Sequence, residues 1–111
     1  MPLRGNEMIR LTTPTHIFNF PNNVNPSELD WLKLTYAQEG RIVLEKNLSD
    51  MTISGQSVSV TLTQAETKKF KVTKEPVSVQ LRVGIGDVAM ATKIYQISVY
   101  EVLNSEILGE E

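Results

Sequence analysis

Apolar and polar residues alternate along much of this chain with a period of two. Ser57-Val58-Ser59-Val60-Thr61-Leu62-Thr63 places Val58, Val60 and Leu62 on one face. Val77, Val79, Leu81 and Val83 alternate with Ser78, Gln80 and Arg82, and Leu32, Leu34 and Tyr36 with Trp31, Lys33 and Thr35. Such runs predict half-buried β-strands, one face on a core and the other open to water or a partner. The same pattern predicts about seven strands, over residues 15–20, 31–38, 41–46, 51–53, 57–63, 77–85 and 91–100.

Turn residues separate these runs. Pro21-Asn22-Asn23 and Asn25-Pro26 bracket a loop. Glu39-Gly40 predicts a hairpin between residues 31–38 and 41–46, Ser54-Gly55-Gln56 a second turn, and Gly86-Asp87 a third. Pro76 precedes a strand, where its missing N–H costs little. The one helix signal between strands is Thr63-Gln64-Ala65-Glu66, a capping box in which hydroxyl and carboxylate satisfy each other's backbone donors. One or two turns through Lys69 are expected, held by packing of Phe70, since so short a helix is marginal in water. Residues 102–108 fit helix or strand, and Glu110-Glu111 is expected to fray.

Short strands joined by tight turns predict an all-β fold, an antiparallel immunoglobulin-like β-sandwich of about seven strands with one short helical turn. A small barrel is the alternative architecture. No helix is long enough for a parallel α/β crossover. The expected organisation is a flexible N-terminal segment (1–8), the sandwich (9–103) and a C-terminal tail (104–111). Met8 reads as a native start, with residues 1–7 as a leader.

Composition agrees. Val, Ile and Thr make up 29 of 111 residues, and these β-branched types fit a pleated surface better than a helix. With 41% hydrophobic and 22% charged residues the chain is of globular type, large enough to bury one core. No apolar run approaches the length of a membrane span, and no secretory signal is visible. Zero cysteines remove disulfides, thiolate nucleophiles and the usual zinc sites, which fits a cytosolic origin. A net charge of -2 argues against nonspecific nucleic-acid binding. The local exception is Lys68-Lys69-Phe70-Lys71 with Lys74, flanked by Glu66 and Glu75 and read as a solvated edge.

No candidate chemistry rises above the structural readings. His16, the sole imidazole, has no nucleophile or orienting carboxylate in a recognisable motif, and reads as structural. Gly84-Ile85-Gly86 lacks the following helix that a phosphate cradle needs, and reads as a hairpin or bulged turn. Glu28 with Asp30 is the closest carboxylate pair, at a strand start. Asp50 and Asp87 favour turns, and no calcium or other metal site is predicted. Asn47-Leu48-Ser49 matches the glycosylation pattern by chance. No catalytic residue and no cofactor are expected. Trp31 is out of phase with Leu32, Leu34 and Tyr36. It is therefore the candidate interface residue, either an exposed anchor of the kind enriched at binding hot spots or a cover for the open end of the sandwich.

The order of features adds a resemblance. A Thr-rich opening strand, Ile9-Arg10-Leu11-Thr12-Thr13-Pro14-Thr15-His16, is followed by Leu34-Thr35-Tyr36-Ala37-Gln38 and Ile42-Val43-Leu44-Glu45-Lys46. Then come Val60-Thr61-Leu62-Thr63-Gln64-Ala65-Glu66-Thr67 and Val79-Gln80-Leu81-Arg82-Val83 with a glycine turn and a closing strand. Over residues 8–103 this resembles the short proteins encoded in prophage tail-gene regions of Gram-positive (Firmicutes) bacteria. It resembles more loosely the immunoglobulin-like N-terminal domain of phage baseplate upper proteins, without their receptor-binding or coiled-coil extensions. The resemblance implies a tail or baseplate structural protein that docks on other phage structural proteins, or forms a homo-oligomer, with no nucleic-acid or membrane partner. It implies a place in the bacterial cytoplasm during assembly and then in the virion. A carbohydrate- or other ligand-binding sandwich module is the alternative, and an enzyme the least expected class.

Overall fold

The computed structural model describes residues 7–104 and 106–109. Nine strands form among them: β1 (Glu7–Ile9), β2 (Thr15–Asn19), β3 (Trp31–Gln38), β4 (Arg41–Asn47), β5 (Thr52–Ser54), β6 (Ser57–Thr61), β7 (Val77–Ile85), β8 (Val88–Ala91) and β9 (Tyr95–Tyr100). The helical turn is α1 (Gln64–Thr67). The larger sheet runs β1-β9-β7-β3-β4, with β8 also on β7, and the smaller one runs β2-β6-β5. The fold is an all-β sandwich with the strand order of the immunoglobulin-like kind. It is two packed sheets and not a closed barrel.

The alternation read in the sequence fills the space between the sheets. Leu32, Leu34 and Tyr36 of β3 and Val77, Val79, Leu81 and Val83 of β7 point inward from the larger sheet. Phe18 of β2, Val58 and Val60 of β6 and the adjoining Leu62 meet them from the smaller one. Each such side chain withdrawn from water stabilises the fold by about 1.5–3 kcal/mol. The expected capping box closes α1. Thr63 Oγ1 accepts from Glu66 N–H at 3.1 Å, and Glu66 Oε1 accepts from Thr63 N–H at 2.9 Å. Phe70 is buried behind the turn with its ring 5.9 Å from that of Tyr36. The hairpin at Glu39-Gly40 forms as expected, with both residues at positive φ.

Three details differ from the sequence reading. First, the sheets are not wholly antiparallel, because β1 runs parallel to β9, with Met8 opposite Val99. Glu7 and Met8 therefore belong to the sandwich and not to a flexible segment, and Met8 is 1% exposed in the core. The rest of the leader, residues 1–6, lies outside the described residues, as do Glu110 and Glu111 at the expected frayed end. Second, the opening run 9–16 is not one strand. It breaks at Leu11, whose φ of 63° lies in the left-handed region that a leucine rarely adopts. Burial of that side chain offsets the strain, and the kink carries the chain from the larger sheet to the smaller.

Third, where one strand over 91–100 is expected, residues 88–100 hold two, β8 and β9, in line along one edge of β7. Arg82 faces Ala91 and Val79 faces Tyr95, so three steps on β7 oppose four on its neighbour. The extra residue makes a bulge, and Thr92 fills it. Its N–H donates to Leu81 O at 2.9 Å, its Oγ1 accepts from Leu81 N–H at 3.1 Å, and its carbonyl accepts from Gln80 Nε2 at 2.9 Å. With β1 and this break, the count is nine strands and not about seven. The tail, described at 104 and 106–109, forms neither helix nor strand. Gln64 holds it through two hydrogen bonds to the Leu108 backbone.

Candidate docking face

Trp31 opens β3 in the phase of Lys33, Thr35 and Ala37, on the outer face of the larger sheet. Directly across the ladder stands Gly84 of β7. The indole lies over that glycine so closely that an added Cβ would stand 2.0 Å from Trp31 Nε1. The Arg82 guanidinium sits 5.8 Å from the centre of the ring. Trp31 is thus packed beneath, flanked by a cation and still 38% exposed. It covers a glycine on the sheet face and not the open end of the sandwich.

Asp30 fixes the approach to this arrangement. Its backbone N–H donates to Gly84 O at 2.8 Å, and its Oδ2 accepts from Gly86 N–H at 2.6 Å. Gly84-Ile85-Gly86 is therefore the start of a hairpin turn with no helix behind it. Gly86, at φ 56°, supplies the left-handed residue, and Gly84 makes room for the indole.

Beyond Trp31 the face is shallow and built of small polar groups. Thr35, Ala37, Ser78, Gln80, Arg82 and Ile94 line a depression of about 260 Å³. Gln96 Nε2 donates to Ser78 Oγ at 3.2 Å across two strands. Ile94 reaches this face from the bulge, and Tyr100 stands exposed at the far end of β9. Ile42 joins from the other side. A bulge between Tyr36 and Ala37 in the β3–β4 ladder leaves Val43 as the extra residue, so Ile42 pairs with outward-facing Ala37. Strict alternation with Leu44 would have turned Ile42 inward. Periodicity in one strand cannot report such a slip.

The other residues weighed in the sequence lie in the core or in turns. His16 is buried, with Nδ1 2.5 Å from the Tyr36 hydroxyl, and the two side chains join the two sheets. Burial lowers the His16 pKa to about 4, so the imidazole is neutral at pH 7. Burial, with a contribution from the Glu66 carboxylate, raises that of Tyr36. Burial pushes the Glu66 carboxyl up, but hydrogen bonds from Lys46, at 2.5 Å, and from Thr63 outweigh it and hold the group below its usual range. Glu28 lies in a 3-10 turn and Asp50 caps another by accepting from Asn47 N–H at 2.8 Å. Asp87 lies in the β7–β8 turn. Asn47-Leu48-Ser49 runs from the end of β4 into that second 3-10 turn. Among the described residues no three His, Asp or Glu side chains converge as metal ligands would. Of the aromatics, Phe18, Phe20, Tyr36 and Phe70 are in the core, while Trp31 and Tyr100 are exposed.

No family model matches the chain, and no curated protein matches it at a significant level.

Proposed function

We propose that this protein is a structural or assembly component of a phage or prophage virion, at the tail or baseplate, that acts by docking on other phage structural proteins. The observation that carries the docking part is the Trp31–Gly84–Arg82 arrangement. A half-exposed indole with its ring held from below, beside an arginine, is what interface hot spots use, because little conformational freedom remains to be lost on binding. The surrounding side chains leave a shallow sheet face onto which another protein can pack. The phage assignment is supported by the resemblance of residues 8–103 to prophage tail-region proteins and, more loosely, of Val60–Thr67 and Val79–Val83 to the immunoglobulin-like domain of baseplate upper proteins; on this reading the protein is in the bacterial cytoplasm during assembly and then in the virion. A homo-oligomer using the same face belongs to this reading. Co-purification with tail particles after prophage induction tests it, and absence from virions and assembly intermediates would overturn it.

One observation favours the second reading, a carbohydrate- or other ligand-binding module. The depression offers the polar groups of Thr35, Gln80 and Arg82, suited to a sugar's hydroxyls, and Arg82 links it to the exposed Trp31 ring, suited to a sugar's apolar face. Glycan-array binding that requires Trp31 would favour it over docking.

A further inference from the structure

A second surface lies at the opposite end of β3, where the β3–β4 hairpin meets the loop after α1. Arg41, Ile42 and Val43 of β4 face Lys69 and Lys71 of that loop across a cleft of about 450 Å³. The basic run that reads as a solvated edge in the sequence thus gains a third cation from some thirty residues away. Glu39 is the only carboxylate among the lining residues. The cleft therefore carries a positive balance in a chain whose net charge is -2. Among the described residues none of the three cations is in an ion pair.

The floor of the cleft is fixed. Gln38, buried at the end of β3, donates through Nε2 to the carbonyls of Lys71 at 2.7 Å and Glu75 at 3.2 Å, and accepts from Lys71 N–H at 2.8 Å. One amide side chain therefore holds the basic loop against the hairpin. The backbone that carries Lys71 is placed before any ligand arrives, which lowers the cost of ordering the loop on binding.

Two further features narrow the occupant. Ile42 is 63% exposed and forms an apolar wall with Val43, which an inorganic anion would leave unused. β4 is the terminal strand of its sheet, so its outer edge has no strand neighbour among the described residues. From these we infer that the cleft binds an acidic, extended peptide segment of a partner protein. Its carboxylates meet Arg41, Lys69 and Lys71, an apolar side chain lies on Ile42, and its backbone runs along the β4 edge. This rests on the docking reading, and adds a second contact far from Trp31.

The test is fluorescence anisotropy with the full chain and two labelled octapeptides, Glu and Val alternating in one and Gln and Val in the other. The acidic peptide is expected to bind at least about tenfold more tightly than the neutral one, and to weaken steeply between 50 and 300 mM salt. Lys69→Glu and Arg41→Glu, each checked for an unchanged melting transition, are expected to weaken it at least about tenfold. Trp31→Ala should leave it unchanged, so failure here stays distinct from failure of the Trp31 face. Equal binding of the two peptides, or no effect of either charge reversal, would overturn the inference. So would tripolyphosphate that displaces the peptide at comparable concentration, since that result would mark a phosphate site.

Discussion

The indole of Trp31 occupies the space that a side chain on Gly84 would need. An added Cβ would meet Nε1 at 2.0 Å, Cε2 at 2.3 Å and Cζ2 at 2.8 Å. Gly84 carries no positive φ, so the conflict is one of packing and not of backbone. Gly84→Ala is expected to expel the indole from its seat at a cost of about 1–3 kcal/mol, the usual range for overpacking. The check is a red shift of tryptophan emission together with a lower denaturation midpoint. Because the two residues share one contact, Gly84→Ala should cost much less in a Trp31→Ala background than alone.

His16 makes stability depend on pH. Its folded pKa of about 4 lies below the unfolded value of 6.5, so as pH falls the unfolded chain takes up a proton first. Stability is fully present above pH 6.5 and is lost down to pH 4. The expected loss is about 2 kcal/mol by pH 5 and about 3 kcal/mol by pH 4. Urea denaturation at stepped pH measures it. His16→Phe should lower stability at every pH, by leaving the Tyr36 hydroxyl unpaired, yet remove the slope between pH 7 and 5.

Thr92 holds the bulge through its hydroxyl as well as its backbone. Thr92→Val keeps the shape but leaves the Leu81 N–H, inside the sheet, without its Oγ1 partner. A loss of about 1–3 kcal/mol is expected. Thr92→Ser should recover most of it, and thermal melts of the two variants against the parent chain decide the matter.

At α1 two carboxylate roles converge. Glu66 closes the capping box and also pairs with Lys46, with both side chains mostly shielded from water. Thr63→Ala is expected to cost about 1 kcal/mol, the usual value of an N-cap. Glu66→Ala should cost more, because it also strands the Lys46 ammonium beside the core. Equal losses from the two in denaturant titrations would show that the ion pair adds nothing.

The inward faces were legible because burial imposes the period of two. Leu32, Leu34 and Tyr36, and the valines of β7, read directly as core. The capping box and the Glu39-Gly40 hairpin were legible as local chemistry, each closed within a few residues. What escaped were one-residue irregularities and long-range partners. The bulges at Val43 and Thr92 insert β-branched residues into strand-like sequence, so Ile42 and Ile94 gave no sign of facing outward. The kink at Leu11 has no glycine or asparagine to announce it. Trp31 was recognisable as out of phase, but its seat on Gly84 joins positions 53 residues apart. Arg41 and the lysine run likewise meet only through the fold, by way of Gln38.

On the proposed function, the Trp31 face docks this protein into a phage particle. The most direct measurement is particle incorporation, by quantitative mass spectrometry of tail particles purified after prophage induction. Strains would carry the parent chain, Trp31→Ala, or an exposed-loop control such as Lys74→Ala. The parent chain and the control are expected in the particles, and Trp31→Ala is expected to be depleted at least about tenfold while remaining folded and abundant in the lysate. Absence of the parent chain from the particles, or undiminished incorporation of Trp31→Ala, would rule out docking through the Trp31 face.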